Sequence, residues 1–109
     1  MKIAILSNGP GNYSTKRLKE EAENRGHEVD VIKYKNCSAA IEQSNPVVRH
    51  KGDILRGYDA IIPRIASSMT RYGTAIVRQF EMQGVYTTAS SLAIVRSRDK
   101  LRAIQLMSR

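Results

Sequence analysis

A chain of 109 residues, 41% of them hydrophobic, with one Phe and no Trp, has the size for one small domain with one core. No apolar run exceeds four residues, far short of the ~20 that span a bilayer, and no small-residue cleavage site follows Ile3-Ala4-Ile5-Leu6 to make a signal peptide. The net charge of +8 is uneven: residues 1–63 hold ten Lys/Arg against eight Asp/Glu, and residues 64–109 hold eight against two. That asymmetry implies an anionic partner or a solvated basic face. For nucleic acid the usual supports are missing: no zinc-binding cysteine pattern, no aromatic RNA-binding motif and no helix-turn-helix. The single cysteine, Cys37, has no partner for an internal disulfide, which places the chain in a reducing cytoplasm.

In chain order, Lys2–Ser7 (KIAILS) reads as an apolar strand. Asn8-Gly9-Pro10-Gly11-Asn12 is made of turn formers. A helix is expected from Ser14, as N-cap, to Arg25, with Leu18 and Ala22 as a thin apolar stripe and Gly26 at the C-cap. Glu28–Lys33 (EVDVIK) reads as a second strand, parallel to the first. Gly9 and Gly11 give the G-x-G of a dinucleotide fingerprint, but Ser14 stands at the third glycine position. Lys33 and Lys35 stand where the ribose-binding acid belongs, so a plain tight turn is the stronger reading.

Tyr34–Arg56 is less regular. Asn45-Pro46 is expected as a turn, Val47-Val48 as a short strand or edge, and Lys51-Gly52-Asp53 as a hairpin turn, the whole insert packing at the edge of the sheet. His27 and His50 have no acid or cysteine at ligand spacing and read as surface residues; Cys37 has no histidine nearby.

Ala60-Ile61-Ile62 reads as a buried strand that Pro63 should end, because proline cannot donate to a ladder. After a polar loop from Arg64 to Ser68, Tyr72, Ile76 and Phe80, with Ala75 beside them, mark the inner face of a helix. Arg71, Arg78 and Glu81 mark its outer face. Gly84 ends the helix, and Val85-Tyr86 starts another strand. Two strand–helix–strand units predict a small α/β fold with a parallel sheet in order 2-1-3-4, flanked by helices. Ligands of such sheets meet the carboxyl ends of the strands, here Ser7, Arg64 and the loop after it. Beyond Tyr86, Ser90 caps a short helix through Leu92, Ala93 and Ile94. Ser97 caps another, with Asp99 in its first turn and Leu101, Ile104 and Met107 as its apolar face. The sequence stops at Arg109 in mid-helix, so a longer protein is expected. No Ser/His/Asp or Cys/His constellation and no carboxylate cluster is legible, and residue chemistry alone points to a module that binds an anion.

The stretches KIAILS, YSTKRLKEEAENRGHEV, YDAIIPRI, YGTAIVRQFEMQGVY and SRDKLRAIQLMSR together resemble the N-terminal domain of RimK-type ATP-grasp ligases. PRI followed by YGTA and RQFEM is the specific part, while Asn8–Asn12 and Cys37–Pro46 are more variable. The resemblance implies a Rossmann-like pre-ATP-grasp domain over residues 1–90 and, over 91–109, the helical start of a connection to an ATP-grasp domain. It implies an enzyme that adds glutamate to the C-terminus of a small-subunit ribosomal protein through an acylphosphate. ATP and Mg²⁺ (or Mn²⁺) would be held mainly by other domains, and the enzyme would be a cytoplasmic homo-oligomer. By position, Lys100 resembles a lysine near the ATP phosphates. Arg64 resembles a residue facing the shared cleft, where a carboxylate of the acceptor suits its planar fork, and Ser7 is a further substrate-binding candidate. Two other readings stay open: a non-catalytic basic module that binds an acidic protein tail, and a related ligase with a small-molecule acceptor.

Overall fold

The computed structural model describes residues 1–90 and Ile94. The Ser97-capped helix, its Leu101, Ile104 and Met107 face and Lys100 therefore lie outside the described residues. Four parallel strands form the main sheet: β1 (Lys2–Ser7), β2 (Glu28–Ile32), β6 (Ala60–Arg64) and β7 (Tyr86–Thr87), in order β2-β1-β6-β7. This is the expected 2-1-3-4 arrangement of the α/β fold. Strand β1 lies centrally and is buried from Ile3 to Ser7. Its alternate side chains go to opposite faces, as strand geometry requires. Ile3 and Ile5 pack with Val29 and Ala60 against Leu18 and Ala22 of helix α1 (Tyr13–Asn24). Ala4 and Leu6 pack with Ile61, Ile76, Val77 and Phe80, the last three from helix α2 (Thr70–Met82). One helix therefore covers each face of the sheet.

Both helices end on a glycine in the left-handed region. Gly26 has φ +86° and Gly84 φ +82°. The two residues that follow close the same motif: His27 N–H donates to Ala22 C=O and Val85 N–H to Phe80 C=O, both at 3.1 Å. Ser14 is not the N-cap of α1. Asn12 takes that place, with φ −65° and ψ 142°, and makes no side-chain cap.

The inner face of α2 is rotated from the expected one. Gly73, Thr74, Ile76, Val77, Gln79 and Phe80 are buried, Tyr72 is 41% exposed, and Ala75 is exposed. Gly73 faces inward because the side chain of Ile65 fills the place of a Cβ. Tyr72 sits at the margin and donates its hydroxyl to the Cys37 carbonyl.

Pro63 does not end its strand. Strand β6 runs on to Arg64, with Leu6 opposite Pro63 and Ser7 opposite Arg64. Ile61 C=O accepts from Thr88 N–H on the β7 side, so the nitrogen of Pro63, two residues on, faces that side too. Strand β7 ends at Thr87, and no ladder bond is lost there.

The insert between the two units is a second sheet. Strands β3 (Cys37–Glu42), β4 (Asn45–His50) and β5 (Asp53–Ile54) run antiparallel in order β3-β4-β5. It packs against α2 and does not continue the edge of the main sheet. Gln79 donates through Nε2 to Ala40 C=O at 2.6 Å and Val47 C=O at 3.0 Å, and Val48 and Cys37 join the core beside Val77. Asn45 and Pro46 belong to β4, and the turn is Gln43-Ser44, with φ +51° and +66°. Pro46 is accommodated as Pro63 is: its nitrogen lies on the side that the short β5 does not reach. The turn at Lys51-Gly52 is where the sequence placed it.

Candidate functional site

The carboxyl ends of β1 and β6 open into a cleft of about 500 Å³. Its walls come from the loop after β1, the first turn of α1, Tyr34 beyond β2, and Pro63–Ala66 with Ile94. No Asp or Glu among the described residues lines it. Neither α1 nor α2 has an acid in its first turn, and no side chain caps the N-terminus of α1. The first amides of α1 and the guanidinium of Arg64 therefore set a positive potential that no carboxylate among the described lining residues offsets.

Ser7 and Arg64 are in register at the sheet edge, so the structure brings these two expected site residues together. Their surroundings differ. Ser7 is buried; its Oγ lies 3.3 Å from Thr15 Oγ1 and accepts the Gly9 N–H at 3.1 Å. Its hydroxyl shapes the loop Asn8–Asn12, whose turn closes with Asn12 N–H donating to Gly9 C=O at 3.0 Å. Arg64 is exposed and spends one N–H on Ser14 Oγ at 2.7 Å. A guanidinium has five N–H donors in a planar fork, which leaves Arg64 able to hold a carboxylate or phosphate from the chain surface. Lys100, the third expected residue, lies outside the described residues.

Asn8 and Tyr34 were not legible as site residues. Asn8 ties the cleft together: Oδ1 accepts the Lys35 N–H at 3.0 Å, and Nδ2 lies 3.0 Å from Met69 Sδ. Tyr34 is fully buried, and its Oη accepts the Ala66 N–H at 2.9 Å. The only sequence signal for Tyr34 was its place just past the carboxyl end of β2, the same edge that holds Ser7 and Arg64.

Among the described residues no three His, Cys, Asp or Glu side chains converge to hold a metal ion. His27 lies 3.2 Å, through Nδ1, from the amino group of Met1. Cys37 is buried, and burial pushes its thiol up to about 11, which keeps it protonated and unreactive near neutral pH. Tyr58, below the other end of the sheet, donates to Asp30 Oδ2 at 2.7 Å. Burial first, and then the Asp30 carboxylate, hold its phenol well above the ordinary range. Neither group faces the cleft. Among the described residues no helix is long and apolar enough to cross a membrane.

Residues 1–94 match the family described as the RimK PreATP-grasp domain. Over all 109 residues the chain is 62% identical to a protein named probable alpha-L-glutamate ligase from Marinomonas sp. strain MWYL1. It is 60% identical to the proteins of that name from Shewanella loihica and Hydrogenovibrio crunogenus. It spans 36% of the length of each of these relatives. The match over residues 1–94 and the parallel sheet in order β2-β1-β6-β7 agree, and the chain belongs to the RimK pre-ATP-grasp domain family.

Proposed function

We propose that this chain is the N-terminal domain of an ATP-dependent carboxylate–amine ligase, and that its cleft presents the carboxylate of the acceptor. The observation that carries this reading is the cleft at the ends of β1 and β6, with no acid among its described lining residues and the exposed fork of Arg64 at its rim. The relatives named alpha-L-glutamate ligase support glutamate as the amine. The acceptor in this reading is the C-terminus of a small-subunit ribosomal protein. Its carboxylate takes the terminal phosphoryl group of ATP, releasing ADP, and the amine of glutamate displaces phosphate from the acylphosphate to form the amide.

Arg64 acts here by orientation and charge. It fixes a carboxylate, offsets its charge, and lowers the cost of bringing a second anion close. The described residues do not fit Mg²⁺ or Mn²⁺, because no carboxylate group converges among them. In this reading the metal and most of the ATP contacts belong to the part of the protein that the relatives' greater length represents. Residues 1–90 form the pre-ATP-grasp domain in this reading, residues 91–109 begin the connection, and Lys100 reaches toward the ATP phosphates. The full enzyme is a cytoplasmic homo-oligomer, and the 109 residues alone turn over neither ATP nor glutamate.

Steady-state kinetics on the full-length protein test the assignment. Removing a hydrogen bond to a charged group costs ~1.5–3 kcal/mol, or roughly ten- to a hundredfold in kcat/KM. Arg64→Ala should show that loss for the acceptor with ATP use preserved, and Lys100→Ala the reverse. If both variants match the wild type for both substrates, the cleft is not the acceptor site. Absence of any ATP-dependent amide formation by the full protein would favour a non-catalytic module that holds an acidic tail.

A further inference from the structure

We infer that the outer edge of β3 takes an extended acidic segment of a partner protein as an added antiparallel strand, held beneath the exposed face of α2. This surface is apart from the cleft walls and independent of the ligase reading. Strand β3 is an edge of the second sheet, paired on one side with β4. Which of its residues face outward follows from the bonds of β4. Leu55 N–H donates to Val48 C=O at 2.8 Å, so Val48 turns its backbone groups toward β5, and Val47, one residue back, turns toward β3. Val47 lies opposite Ala40. Ala40 therefore faces β4, and Cys37, Ala39 and Ile41 point their N–H and C=O groups outward. The Cys37 carbonyl accepts the Tyr72 hydroxyl. Ala39 and Ile41 are exposed, Ile41 at 61%, and neither position carries the proline, charge or bulge that blunts an edge.

Helix α2 roofs this edge. Tyr72 bonds to Cys37 at the start of β3, Gln79 to Ala40 in its middle, and Gln83 to Pro46, which lies opposite Ile41. The helix thus runs along β3 and in the same direction. Its exposed residues, Arg71, Tyr72, Ala75, Arg78 and Met82, fall on one side of a 3.6-residue helix. Tyr72, at the border of that side, reaches an outward carbonyl of β3, so the exposed stripe overlooks the open edge. The stripe contains two cations and no acid. Arg71 and Arg78 stand ~10 Å apart along the helix, and Ala75 lies between them. A strand with acid, apolar and acid side chains at alternate positions spans ~13 Å on one face, a difference that flexible arginine arms close. Backbone pairing supplies affinity, and the arginines select the acids. The net charge of +8 adds long-range attraction. A second copy of the chain is a poorer occupant. Pairing β3 with its symmetry mate sets the two arginine-bearing stripes against each other, like charge on like.

The test uses the full-length protein and two capped peptides, one of repeated Glu-Thr-Val-Thr and one of repeated Lys-Thr-Val-Thr. Calorimetry reads affinity, and amide hydrogen exchange reads the place of binding. The acidic peptide should bind, slow exchange at Ala39 and Ile41, and weaken as salt rises from ~0.1 to ~1 M. Arg78→Glu should lose roughly tenfold in affinity, because reversal replaces an attraction by a repulsion of similar size. Ala39→Pro removes an outward N–H without a ladder bond, and should abolish binding. Equal binding of the basic peptide, unchanged exchange at Ala39 and Ile41 on binding, or no binding of the acidic peptide would each overturn the inference. So would wild-type affinity in Ala39→Pro. Should that variant not fold, Arg78→Glu, a change at an exposed position, decides alone, and wild-type affinity there overturns the inference as well. Slow exchange at Ala39 and Ile41 before any peptide is added would show the edge already covered, by a second copy or by the rest of the protein, and would also overturn it.

Discussion

Replacing Gly73 with Ala sets two effects of opposite sign against each other, and the structure decides which wins. Gly73 lies inside α2, where Ala is favoured over Gly by ~1 kcal/mol through backbone entropy. Its added methyl, however, would stand 2.5 Å from Ile65 Cγ2, 2.9 Å from Cδ1 and 3.1 Å from Cγ1. Cγ2 is fixed to the β-carbon and cannot swing away without a change of rotamer. The Ile65 backbone is held on one side by the pairing of Arg64 with Ser7 and on the other by the bond of Ala66 to Tyr34. Helix α2 cannot easily retreat either, since Val77 and Phe80 are buried and Gln79 is bonded to β3 and β4. Overpacking of this kind costs ~1–3 kcal/mol. The net expectation is a loss of about 1 kcal/mol after the helix gain is subtracted. Urea unfolding of the chain, followed by circular dichroism, measures it as a lower midpoint at unchanged slope. Truncating the obstacle should reverse the sign: in an Ile65→Ala background the same Gly73→Ala change should stabilise by ~1 kcal/mol. A stabilisation by Gly73→Ala in the wild-type background would refute the reasoning, because it would show Ile65 moving aside at no cost.

Three further changes probe other parts of the fold. Gln79→Met keeps volume but removes two hydrogen bonds from a buried side chain, and should lower the unfolding free energy by ~1–3 kcal/mol, read from the same urea midpoints. Replacing Gln43-Ser44 by Asn-Gly suits a turn with two positive φ values, and should raise stability by ~1 kcal/mol with the β3–β4 register unchanged in amide exchange. The Cys37 thiol, raised by burial from 9.0 to about 11, binds its proton more tightly folded than unfolded. The stability gap between wild type and Cys37→Ala should therefore be full below pH 9 and shrink as pH rises toward 11, and a gap that widened over that window would contradict the burial argument.

The main sheet was legible because strands buried on both faces are nearly continuous apolar runs, as in Ile3–Leu6 and Ala60–Ile62. The second sheet was not. In β3 the large apolar residue, Ile41, is 61% exposed, so the letters CSAAIE carry no inward alternation. Its turn uses Gln43 and Ser44, without the glycine that marks positive φ, while the conspicuous Asn45-Pro46 pair sits in the strand. The face of α2 was misjudged for a related reason. A reading of apolar spacing admits Tyr72 and Ala75 and passes over Gly73, Thr74 and Gln79, whose burial depends on Ile65 and on carbonyls of β3 and β4. At the site, Ser7 and Arg64 followed from the general rule for parallel sheets. Tyr34 did not, because its place in the cleft wall rests on one bond to a residue 32 positions away.

Pro63 shows how one residue serves fold and site together. Successive residues of a strand turn their backbone groups to opposite edges. Arg64 faces β1 and pairs beside Ser7, which fixes the guanidinium at the sheet edge. Pro63 faces the β7 side, where Thr88 makes the last bond, to Ile61 C=O. A residue with an N–H at position 63 would offer the next ladder donor, and β7 would be free to extend toward the carboxyl end of the sheet. Proline withholds that donor, as edge strands do to refuse a neighbour. The neighbouring strand stops at Thr87, while β6 itself is carried onward by its pairing with β1. The end of β6 therefore projects past β7, and the cleft that Arg64 and Tyr34 line keeps its open wall.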